Sequence, residues 1–404
     1  MHTGATIRTL LFSTLYPSSV RPGHGIFVET RLRELLNSGR VQTKVVAPVP
    51  WFFSTDPRYG DYARIAQTPS REQYNGIDVI HPRYFLPPKI GMNLAPFTLA
   101  LGARPAIQHL LDEGFDFDVI DAHYYYPDGV AAALLAKYFN KPLTITARGS
   151  DINLISNYAI PRKLMQWASH RAYASIGVSQ ALTQAMANIG MPPTRLKMMP
   201  NGVDLGRFHL QPQSDARATL GWPGQPTLLS VGNLVENKGH HIAIQALSHL
   251  PDFRLVIAGE GPEHKALQML AIQLDVARRV QFLGRVAQDQ LATCYCAADI
   301  LVLASSREGW PNVLLESMAC GTPVVATNVG GIPEIVTSQI AGRLMVTRDA
   351  AAALQCIQDL WRNMPNRKAV QARALGSSWQ NTSDAQINLF GRIVAGAPEL
   401  SPHA

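Results

Sequence analysis

The chain has 404 residues, of which 47% are apolar and 16% charged, and its formal net charge is +7. This length indicates two or three domains with buried cores, and the composition excludes a disordered or collagen-like chain. The longest apolar stretches, such as 92–103 and 129–136, are shorter than the roughly 18–20 residues that a membrane-spanning helix needs. Arg8 and Pro17 interrupt the N-terminal apolar run, so no signal peptide is predicted and we expect a soluble, cytoplasmic protein.

The positive charge is confined to one half of the chain. The first 200 residues hold 20 Lys/Arg and 13 Asp/Glu, whereas the remaining residues hold 16 of each. A basic first half favours an anionic partner, such as a membrane surface, a phosphorylated lipid or nucleic acid. A merely solubilising surface explains the same excess equally well.

The four cysteines, at positions 294, 296, 320 and 356, are too few for a disulfide framework. Cys294 and Cys296 have no second Cys/His pair nearby, as a structural metal site would require. We therefore predict buried, reduced thiols.

Short β-branched and apolar runs alternate with helix-length amphipathic stretches. In the first half the predicted strands are 7–13, 43–47, 78–81, 119–122, 143–147 and 175–178. In the second half they are 227–231, 254–258, 280–283, 300–304, 324–327 and 343–346. Strands that alternate with helices indicate parallel sheets covered on both faces, so we predict an α/β protein of two doubly wound domains.

Pro and Gly residues between Met191 and Gly202 mark the predicted domain boundary. We predict one domain over 1–197, a second over 198–376 and a C-terminal helical segment over 377–404. The pattern leaves open whether this last segment ends the second domain or crosses back to the first. Two such domains would face each other across a cleft at the carboxyl ends of their strands, where ligands bind in open α/β sheets.

Residues 305–323 carry the strongest functional signal. A predicted strand leads into a turn, and a helix is predicted with Asn312 as its N-cap. The free amides and positive dipole end of such a helix suit a phosphate. Glu308 and Glu316 would repel that phosphate, so the pattern favours carboxylates that bind polyol hydroxyls on either side of it. Taken singly, Glu308 is equally consistent with a solvated turn and Glu316 with a complement to the helix dipole.

Glycine-bearing loops follow three other predicted strands. Within 230–239, Lys238 stands at a predicted helix start, where a cation is unfavourable for the dipole. A diphosphate would compensate for it, and an exposed lysine before a glycine turn is the alternative. The glycines of 258–262 and 23–29 either admit a ligand or make tight turns. The latter segment lacks the spaced triple-glycine fingerprint, which disfavours a nicotinamide enzyme.

Polar residues also end two strands of the first half. His123 follows 119–122, and Arg148 and Asp151 follow 143–147. A histidine there could share a proton or steady developing charge, and the other two could hold phosphate and hydroxyl groups. A structurally hydrogen-bonded His123 is equally consistent with the sequence.

Over nearly its whole length the chain resembles the family 4 glycosyltransferases of the GT-B fold, which consists of two Rossmann-like domains. The resemblance rests on Pro200-Asn-Gly-Val-Asp204 with Phe208, Gly232 to Gly239, Gly259-Glu-Gly-Pro262, Phe282-Leu-Gly284, Ala298-Asp299, Glu308 and Glu316 with seven residues between them, Ala319 to Ala326, and Gly330-Gly-Ile-Pro-Glu334. It implies that the substrate is a nucleotide-diphosphate sugar held mainly by the second domain, with no other cofactor.

The resemblance also implies individual roles. Glu316 would bind the ribose hydroxyls, Glu308 the hydroxyls of the donor sugar and Lys238 the diphosphate. Loop and helix amides contacting the sugar and diphosphate would come from Gly309, Trp310, Asn312, Val313 and Leu314. Further implied contacts are the base with Arg285 and Val286, the diphosphate with Gly25, and the reacting sugar with His123. Glu308, His123 and Lys238 would be the catalytic residues.

Two positions depart from the family pattern. Asn233 stands where the family often has an arginine, so one phosphate cation is either missing or supplied by another residue. Arg148-Gly-Ser-Asp151 stands where many members have His-Gly-x-x-Asp. Arg148 either replaces the absent cation or helps to select the acceptor.

Together these features predict a metal-independent, retaining hexosyltransferase of glycan or polysaccharide biosynthesis. The basic first domain favours a phosphate-bearing saccharide or lipid-linked acceptor, and association with an anionic membrane surface at the inner face of the cell membrane. Trp51-Phe-Phe53 would either enter the lipid interface or pack locally.

Three alternatives were weighed against this function. One is a nucleotide-sugar epimerase of the same architecture, and another is a non-catalytic sugar-nucleotide-binding protein. A nucleic-acid binder is disfavoured because no clustered Lys/Arg run with interleaved aromatics is present. We therefore expect no nucleic-acid partner.

Overall fold

A computed structural model describes residues 6–87 and 91–396 of the chain. These residues form two compact units, Met1–Pro200 with Thr382–Ala404 and Asn201–Asn381. The first junction falls within the Pro- and Gly-rich stretch 191–202, and the second falls inside the last helix.

The first unit is built on an eight-stranded sheet with the order β10-β9-β8-β7-β1-β2-β5-β4, and β3 pairs with β6 beside it. Its strands are β1 (Ile7–Phe12), β2 (Val41–Val46), β3 (Val49–Pro50), β4 (Arg71–Tyr74), β5 (Ile77–Ile80), β6 (Arg83–Tyr84), β7 (Val119–His123), β8 (Leu143–Ala147), β9 (Ala174–Gly177) and β10 (Leu196–Met198). Its helices are α1 (Ile26–Leu36), α2 (Asp61–Ala66), α3 (Gly91–Asp112), α4 (Val130–Phe139), α5 (Ser150–Asn153), α6 (Ala159–Ser169) and α7 (Gln180–Asn188). Only the edge pairing of β4 with β5 is antiparallel among the described strands.

The second unit is built on a six-stranded parallel sheet with the order β13-β12-β11-β14-β15-β16. Its strands are β11 (Thr227–Val231), β12 (Arg254–Ala258), β13 (Val280–Gly284), β14 (Ile300–Leu303), β15 (Val324–Thr327) and β16 (Gly342–Met345). Its helices are α8 (Gln213–Leu220), α9 (His240–Leu247), α10 (His264–Gln273), α11 (Gln288–Ala297), α12 (Asn312–Ala319), α13 (Ile332–Ile335), α14 (Ala350–Arg362) and α15 (Arg367–Leu375). This is the 3-2-1-4-5-6 strand order of dinucleotide-binding sheets.

The two series of predicted strands are present in the structure, each within two residues of its predicted bounds. Sequence reasoning missed four short strands, β3, β4, β6 and β10, because two to four residues are too few to show a period. Central strands such as β7, β8 and β11 are buried along their whole length. Burial on both faces explains why they read as continuous apolar runs without alternation.

The last helix, α16 (Trp379–Val394), supplies core residues to the first unit. Ile387, Phe390 and Ile393 recur at spacings of three residues and pack in one buried cluster with Val119 of β7 and Ile176 of β9. The C-terminal segment is therefore part of the first unit's core.

The four cysteines are free thiols, and those at 294, 296 and 320 are buried. Within the described ranges, no group of three or more His, Cys, Asp or Glu side chains is placed to hold a metal ion. No helix found in residues 6–87 and 91–396 has the length and apolarity needed to cross a membrane.

Candidate functional site

In the second unit, the loops that carry predicted site residues leave the sheet at its switch point. β11 lies between β12 and β14, so the chain passes to one side of the sheet after β11 and to the other after β14. Two βα loops diverge at such a point and leave a crevice outside the carboxyl ends of the strands. The loop after β11 carries Lys238, and the loop after β14 carries Glu308.

These two side chains form an ion pair. Lys238 Nζ donates to Glu308 Oε1 at 2.6 Å, and the hydroxyl of Ser305 donates to the same oxygen at 2.7 Å. Both charged side chains are largely buried, with 25% of Lys238 and 10% of Glu308 exposed. We predicted that a diphosphate would compensate Lys238, and that Glu308 would either bind sugar hydroxyls or be a solvated turn residue. In the structure each is the counter-charge of the other.

Two glycines, Gly239 after β11 and Gly330 after β15, allow their loops to approach the segment that follows β14. Gly239 has φ +70°, and a Cβ there would lie 2.1 Å from the carbonyl oxygen of Ala304 at the end of β14. Gly330 has φ +54°, and its Cβ would lie 1.9 Å from the carbonyl oxygen of Glu308. Any larger residue at either position would push apart the loops that hold the ion pair.

Helix α12 begins next to Glu308. Its N-cap is Pro311, so the prediction of Asn312 as N-cap was wrong. Asn312 is the first helical residue, and its side-chain carbonyl accepts from the Asn201 amide at 3.2 Å. Trp310 Nε1 also donates to the carbonyl of Asn201, at 2.9 Å. Asn201 therefore anchors the start of the helix, a role that sequence reasoning did not assign.

The amides of this turn are only partly available to a ligand. The Leu314 amide donates to the Pro311 carbonyl at 3.1 Å, and its contact with the substrate stays a prediction. The amides of Asn312 and Val313 belong to the first turn, whose donors have no partner within a helix. Together with Gly309, they form the cluster of donors where the positive dipole end of the helix favours an anion.

Glu316 lies one turn further along α12, and its carboxylate accepts from the Tyr295 hydroxyl at 2.9 Å. Burial raises the pKa of Glu316 to about 7, against the opposing effects of the Tyr295 hydrogen bond and the positive charge of Arg207. The carboxyl is therefore close to its midpoint at neutral pH. It can accept hydrogen bonds from hydroxyls when ionised, which suits a diol.

The remaining second-unit predictions lie after β11, β12 and β13. Arg285 and Asn233 are exposed, and Val286 is half-buried against the core. The glycines of 258–262 serve tight packing: a Cβ on Gly259 would lie 1.8 Å from the Gly232 carbonyl oxygen. Of the two explanations offered for these glycines, the structure supports the tight turn.

The first unit has a corresponding switch point, because β1 lies between β2 and β7. Gly25 follows β1 and is the N-cap of α1, with φ +68°. A Cβ there would lie 2.3 Å from the Leu15 carbonyl oxygen, so the loop requires glycine. His123 is the last residue of β7, and its carbonyl accepts from the Ser13 hydroxyl at 2.8 Å.

The imidazole of His123 is buried and held on both sides. Nε2 lies 3.1 Å from Asp121 Oδ2, and Nδ1 contacts Nη2 of Arg148. Burial lowers the pKa of His123 to about 4, so the ring is neutral at neutral pH. The structurally hydrogen-bonded alternative for His123 is the one observed.

The carboxylate of Asp151 is hydrogen-bonded to backbone amides. It accepts from the amides of Tyr125 and Gly149, both at 2.7 Å, and from those of Arg148 and Ile152, both at 3.1 Å. The side chain is fully buried. It therefore shapes the loop after β8, contrary to the expectation that it holds ligand hydroxyls.

Within the second unit, the structure thus brings Lys238, Glu308 and the start of α12 together at one switch point. It also shows two partners that sequence reasoning missed, Tyr295 on Glu316 and Asn201 on the start of α12. The Pro-Asn-Gly motif was a signal for Asn201. Tyr295 carried none, since a tyrosine in an amphipathic helix is ordinarily a core residue.

A cation, first-turn amides and two acidic side chains can together bind an anionic centre flanked by hydroxyl groups. The ammonium and the amides supply positive potential, and the carboxylates supply hydrogen-bond acceptors. Sugar hydroxyls and a diphosphate have this complementary pattern.

Comparison with known proteins agrees with this chemistry. The family model described as Glycosyl transferases group 1 matches residues 213–375, and the model described as Glycosyltransferase Family 4 matches residues 62–207. TuaC of Bacillus subtilis, a glycosyltransferase provisionally assigned to teichuronic acid biosynthesis, is 29% identical over 336 residues, which cover 81% of this chain and 83% of TuaC.

Two further proteins are similar over different lengths. A D-inositol 3-phosphate glycosyltransferase of Mycobacteroides abscessus is 35% identical over 212 residues, which cover 50% of this chain and only 48% of that relative. The crystal structure of HepE from Anabaena in complex with UDP superposes with a TM-score of 0.71 at 20% identity, covering 96% of this chain and 99% of HepE. The predicted fold class, GT-B with two doubly wound units, is confirmed.

Proposed function

The chain belongs to the family 4 glycosyltransferases, and from that premise we propose that it transfers a hexosyl residue from a nucleotide-diphosphate sugar to a saccharide or lipid-linked acceptor. The observation that carries this proposal is the pair of Lys238 and Glu308 at the switch point of the second sheet, beside the start of α12. The UDP held by HepE and the teichuronic acid assignment of TuaC support a nucleotide-sugar donor and a role in polysaccharide biosynthesis.

Donor binding would redistribute the hydrogen bonds of Lys238, Glu308 and Glu316. The diphosphate offers Lys238 a partner of higher charge than Glu308, and the sugar hydroxyls offer Glu308 new donors. The ribose hydroxyls donate to Glu316, which favours its ionised form. The Lys238–Glu308 pair compensates both charges before the donor binds, since an isolated buried charge is costly.

The proposed reaction proceeds with retention and without a metal ion. The acceptor oxygen forms a bond to the anomeric carbon while the bond from that carbon to the diphosphate oxygen breaks. The electron pair of the broken bond goes to the diphosphate, whose oxygen takes the acceptor proton. Lys238 and the amides at the start of α12 would stabilise the negative charge that develops on the leaving group.

Binding and turnover assays test this proposal. We expect UDP or GDP and one of their sugar conjugates to raise the Tm of the protein, and Lys238→Met to weaken that binding. Lys265→Met provides the matched control, since it removes the same charge from an exposed position on α10. Transfer of label from a nucleotide sugar to glycan or lipid-linked acceptors should be lower in Lys238→Met than in the unmodified protein, and unchanged in Lys265→Met.

The outcomes separate the alternatives. Conversion of the nucleotide sugar to an epimer without any acceptor would identify an epimerase. Tight binding with neither transfer, hydrolysis nor epimerisation across donors and acceptors would identify a non-catalytic binding protein. Absence of binding to every nucleotide and nucleotide sugar would overturn the proposal itself.

An anionic membrane surface is the proposed location of the acceptor, which places the protein at the cytoplasmic face of the cell membrane. Helix α3 presents Leu94, Phe97 and Leu101 on one exposed face, and Leu101 is 71% exposed. The spacing of three and four residues makes this a continuous apolar stripe. The net positive charge of residues 1–200 complements an anionic lipid surface.

The loop 51–53, predicted either to enter the lipid interface or to pack locally, packs locally and also exposes aromatic surface. Phe53 packs against Phe52 and Tyr59, with ring centroids 4.5 and 5.2 Å apart, yet 64% of it is exposed. We expect the protein to sediment with anionic vesicles and not with neutral ones, and Leu101→Glu to weaken sedimentation. Gln108→Glu adds the same charge to α3 and should have no effect. Equal recovery of the unmodified protein with and without vesicles would exclude the membrane surface.

A further inference from the structure

A buried chain of polar side chains joins the C-terminal helix to His123. Gln386 of α16 donates from Nε2 to Asp121 Oδ2 at 2.7 Å, and it accepts from Arg31 Nε at 3.0 Å. The Thr144 hydroxyl donates to the other oxygen of Asp121 at 2.9 Å. We call these four residues together with His123 the Asp121 network. None of its members is more than 3% exposed.

The donors and acceptors of this network allow one arrangement. A guanidinium only donates hydrogen bonds, so the Gln386 atom facing Arg31 is the carbonyl oxygen and its amide nitrogen faces Asp121. An ionised carboxylate only accepts hydrogen bonds, so Asp121 accepts one from the Nε2–H group of His123. Nδ1 of His123 then carries the lone pair that faces the guanidinium of Arg148. The partners thereby select the Nε2–H tautomer.

The charges of the network support this assignment. Burial acts to raise the pKa of Asp121, but its interactions with His123, Arg31 and Thr144 outweigh burial, and the pKa lies below its usual value. Burial lowers the pKa of Arg31 to about 10, so Arg31 remains charged at neutral pH. Arg31 and Asp121 form a compensated pair of charges with the neutral Gln386 between them. A buried network in which each hydrogen-bonding group has a partner is rigid.

We propose that Asp121 and Gln386 are positioning residues that hold His123 as its neutral Nε2–H tautomer, and that His123 in turn fixes the guanidinium of Arg148 at the end of β8. The kinetic test of this proposal rests on the proposed glycosyl transfer, whereas the NMR test of the His123 tautomer does not. Arg148 is also held from below by the ring of Phe27, whose centroid is 5.2 Å from the guanidinium carbon. Two contacts on different sides restrict the rotamers of a long side chain.

The network also gives the C-terminal helix a defined task in the first unit. Gln386 lies 265 residues from Asp121 in sequence, and α16 carries it to the middle of the sheet beside β7. An apolar residue would fill that space and pack with Ile387 and Phe390. A glutamine there gives Asp121 Oδ2 a hydrogen bond in addition to that of His123 and links Asp121 to Arg31, which a purely packing role would not require.

The tautomer can be measured directly. In two-bond nitrogen–proton NMR spectra of the full chain labelled with nitrogen-15, the His123 signals, assigned by comparison with His123→Gln, should show the neutral Nε2–H pattern. Asp121→Asn replaces an acceptor by a group that also donates, so a fraction of His123 should adopt the Nδ1–H tautomer. An unmodified protein with His123 as the Nδ1–H tautomer, or an Asp121→Asn variant with an unchanged pattern, would overturn the proposal.

Kinetics supply the second readout. Asp121→Asn and Gln386→Glu should lower kcat for transfer by about tenfold or more, as expected when a supporting hydrogen bond is lost, while the Kd for nucleotide diphosphate stays within about twofold. Asn388→Asp adds the same charge as Gln386→Glu on the exposed side of α16 and should leave both values unchanged. If Asp121→Asn does not fold, Gln386→Glu and Gln386→Met are measured by the same two readouts.

The results distinguish the two levels of inference. Unchanged kcat in folded Asp121→Asn and Gln386→Glu would overturn the positioning role while leaving glycosyl transfer intact. An unmodified protein that neither binds nor transfers any nucleotide sugar would overturn the proposed function, and the NMR pattern of His123 would still decide the tautomer.

Discussion

Lys238 Nζ lies 2.6 Å from Glu308 Oε1, although 70 residues separate the two in sequence. The parallel sheet brings them together, because β11 and β14 are adjacent and each residue lies in the loop after one of them. The two side chains neutralise each other at the switch point of the second sheet. The pair therefore couples the stability of the loops to the binding of an anionic ligand.

Lys238→Met should affect both properties. It leaves the largely buried Glu308 carboxylate without its cation, which should destabilise the protein by about 1–3 kcal/mol. It also removes the positive charge that would stabilise the leaving diphosphate, which should lower the rate of transfer by about two to three orders of magnitude. Adding Glu308→Gln should recover most of the lost Tm but none of the activity. A double variant with restored turnover would refute the role of Lys238.

Glu316 should make donor affinity depend on pH near neutrality. With a pKa of about 7, its carboxyl loses a proton as the pH rises from about 6 to about 8, and only the ionised form accepts hydrogen bonds from both ribose hydroxyls. The affinity for a nucleotide sugar should therefore rise across this range. Glu316→Gln should bind more weakly and with little dependence on pH. Calorimetric titrations at several pH values measure both effects, and a flat profile for the unmodified protein would contradict the assignment.

Tyr295→Phe should move that pH profile upward. The hydroxyl of Tyr295 donates to Glu316 and lowers its pKa, so its removal raises the pKa further. At neutral pH a smaller fraction of Glu316 is then ionised, and we expect affinity for the nucleotide sugar to fall by several-fold, which corresponds to about 1 kcal/mol. Tyr158→Phe, at an exposed tyrosine of the first unit, is the control. A midpoint that stays in place would show that the hydroxyl does not tune Glu316.

Gly239→Ala should be more damaging than a comparable substitution elsewhere. Gly239 and Gly221 have φ values of +70° and +63°, so alanine suffers a similar conformational cost of about 1–2 kcal/mol at both. Only at Gly239 would the Cβ also meet a backbone oxygen, that of Ala304 at 2.1 Å, whereas nothing lies within 4 Å at Gly221. Gly239→Ala should therefore show the lower Tm and weaker nucleotide binding. Equal effects would mean that loop contact at Ala304 is unimportant.

His240 should contribute to the loss of stability in acid. Burial lowers its pKa from 6.5 to about 4, while its ring nitrogens meet the Ser230 hydroxyl at 2.8 Å and the Asn233 carbonyl at 3.2 Å. The folded state resists protonation, so stability that is present above about pH 6.5 is lost as the pH falls towards 4, by about 3 kcal/mol at most. The drop in Tm between pH 7 and pH 5 should be smaller in His240→Gln. His249→Gln, at an exposed position in the same unit, should keep the full drop.

The fold was largely predictable because it depends on local patterns. Apolar runs such as 227–231 and 324–327 match β11 and β15 residue for residue. The short strands β3 and β6 were not predictable, since each has two residues and exists only through its pairing with the other. The N-cap of α12 was misplaced because Asn312 is a favourable cap residue, yet its side chain binds Asn201 instead.

The position of candidate residues in loops at the switch point of each sheet was predictable, and their contacts were less so. Lys238, Glu308 and Gly25 occupy loops at switch points, as expected for residues that follow adjacent parallel strands. Asp151 was assigned to ligand hydroxyls, whereas its carboxylate accepts hydrogen bonds from backbone amides such as that of Gly149. The Leu314 amide donates to the Pro311 carbonyl at the start of its own helix. Such partners cannot be read from a spacing of residues.

The order of residues alone determined two helix-covered parallel sheets and the loops that lie at their ligand-binding edges, because periodicity and turn residues act over a few positions. Which side chains meet was decided only by folding: Tyr295 with Glu316, 21 residues apart, and Gln386 with Asp121, 265 residues apart. The path of the chain between strands and the packing of α16 bring these residues together despite their separation in sequence. Hydrogen bonds and charge compensation then depend on atoms within about 3 Å, a scale that no one-dimensional pattern encodes.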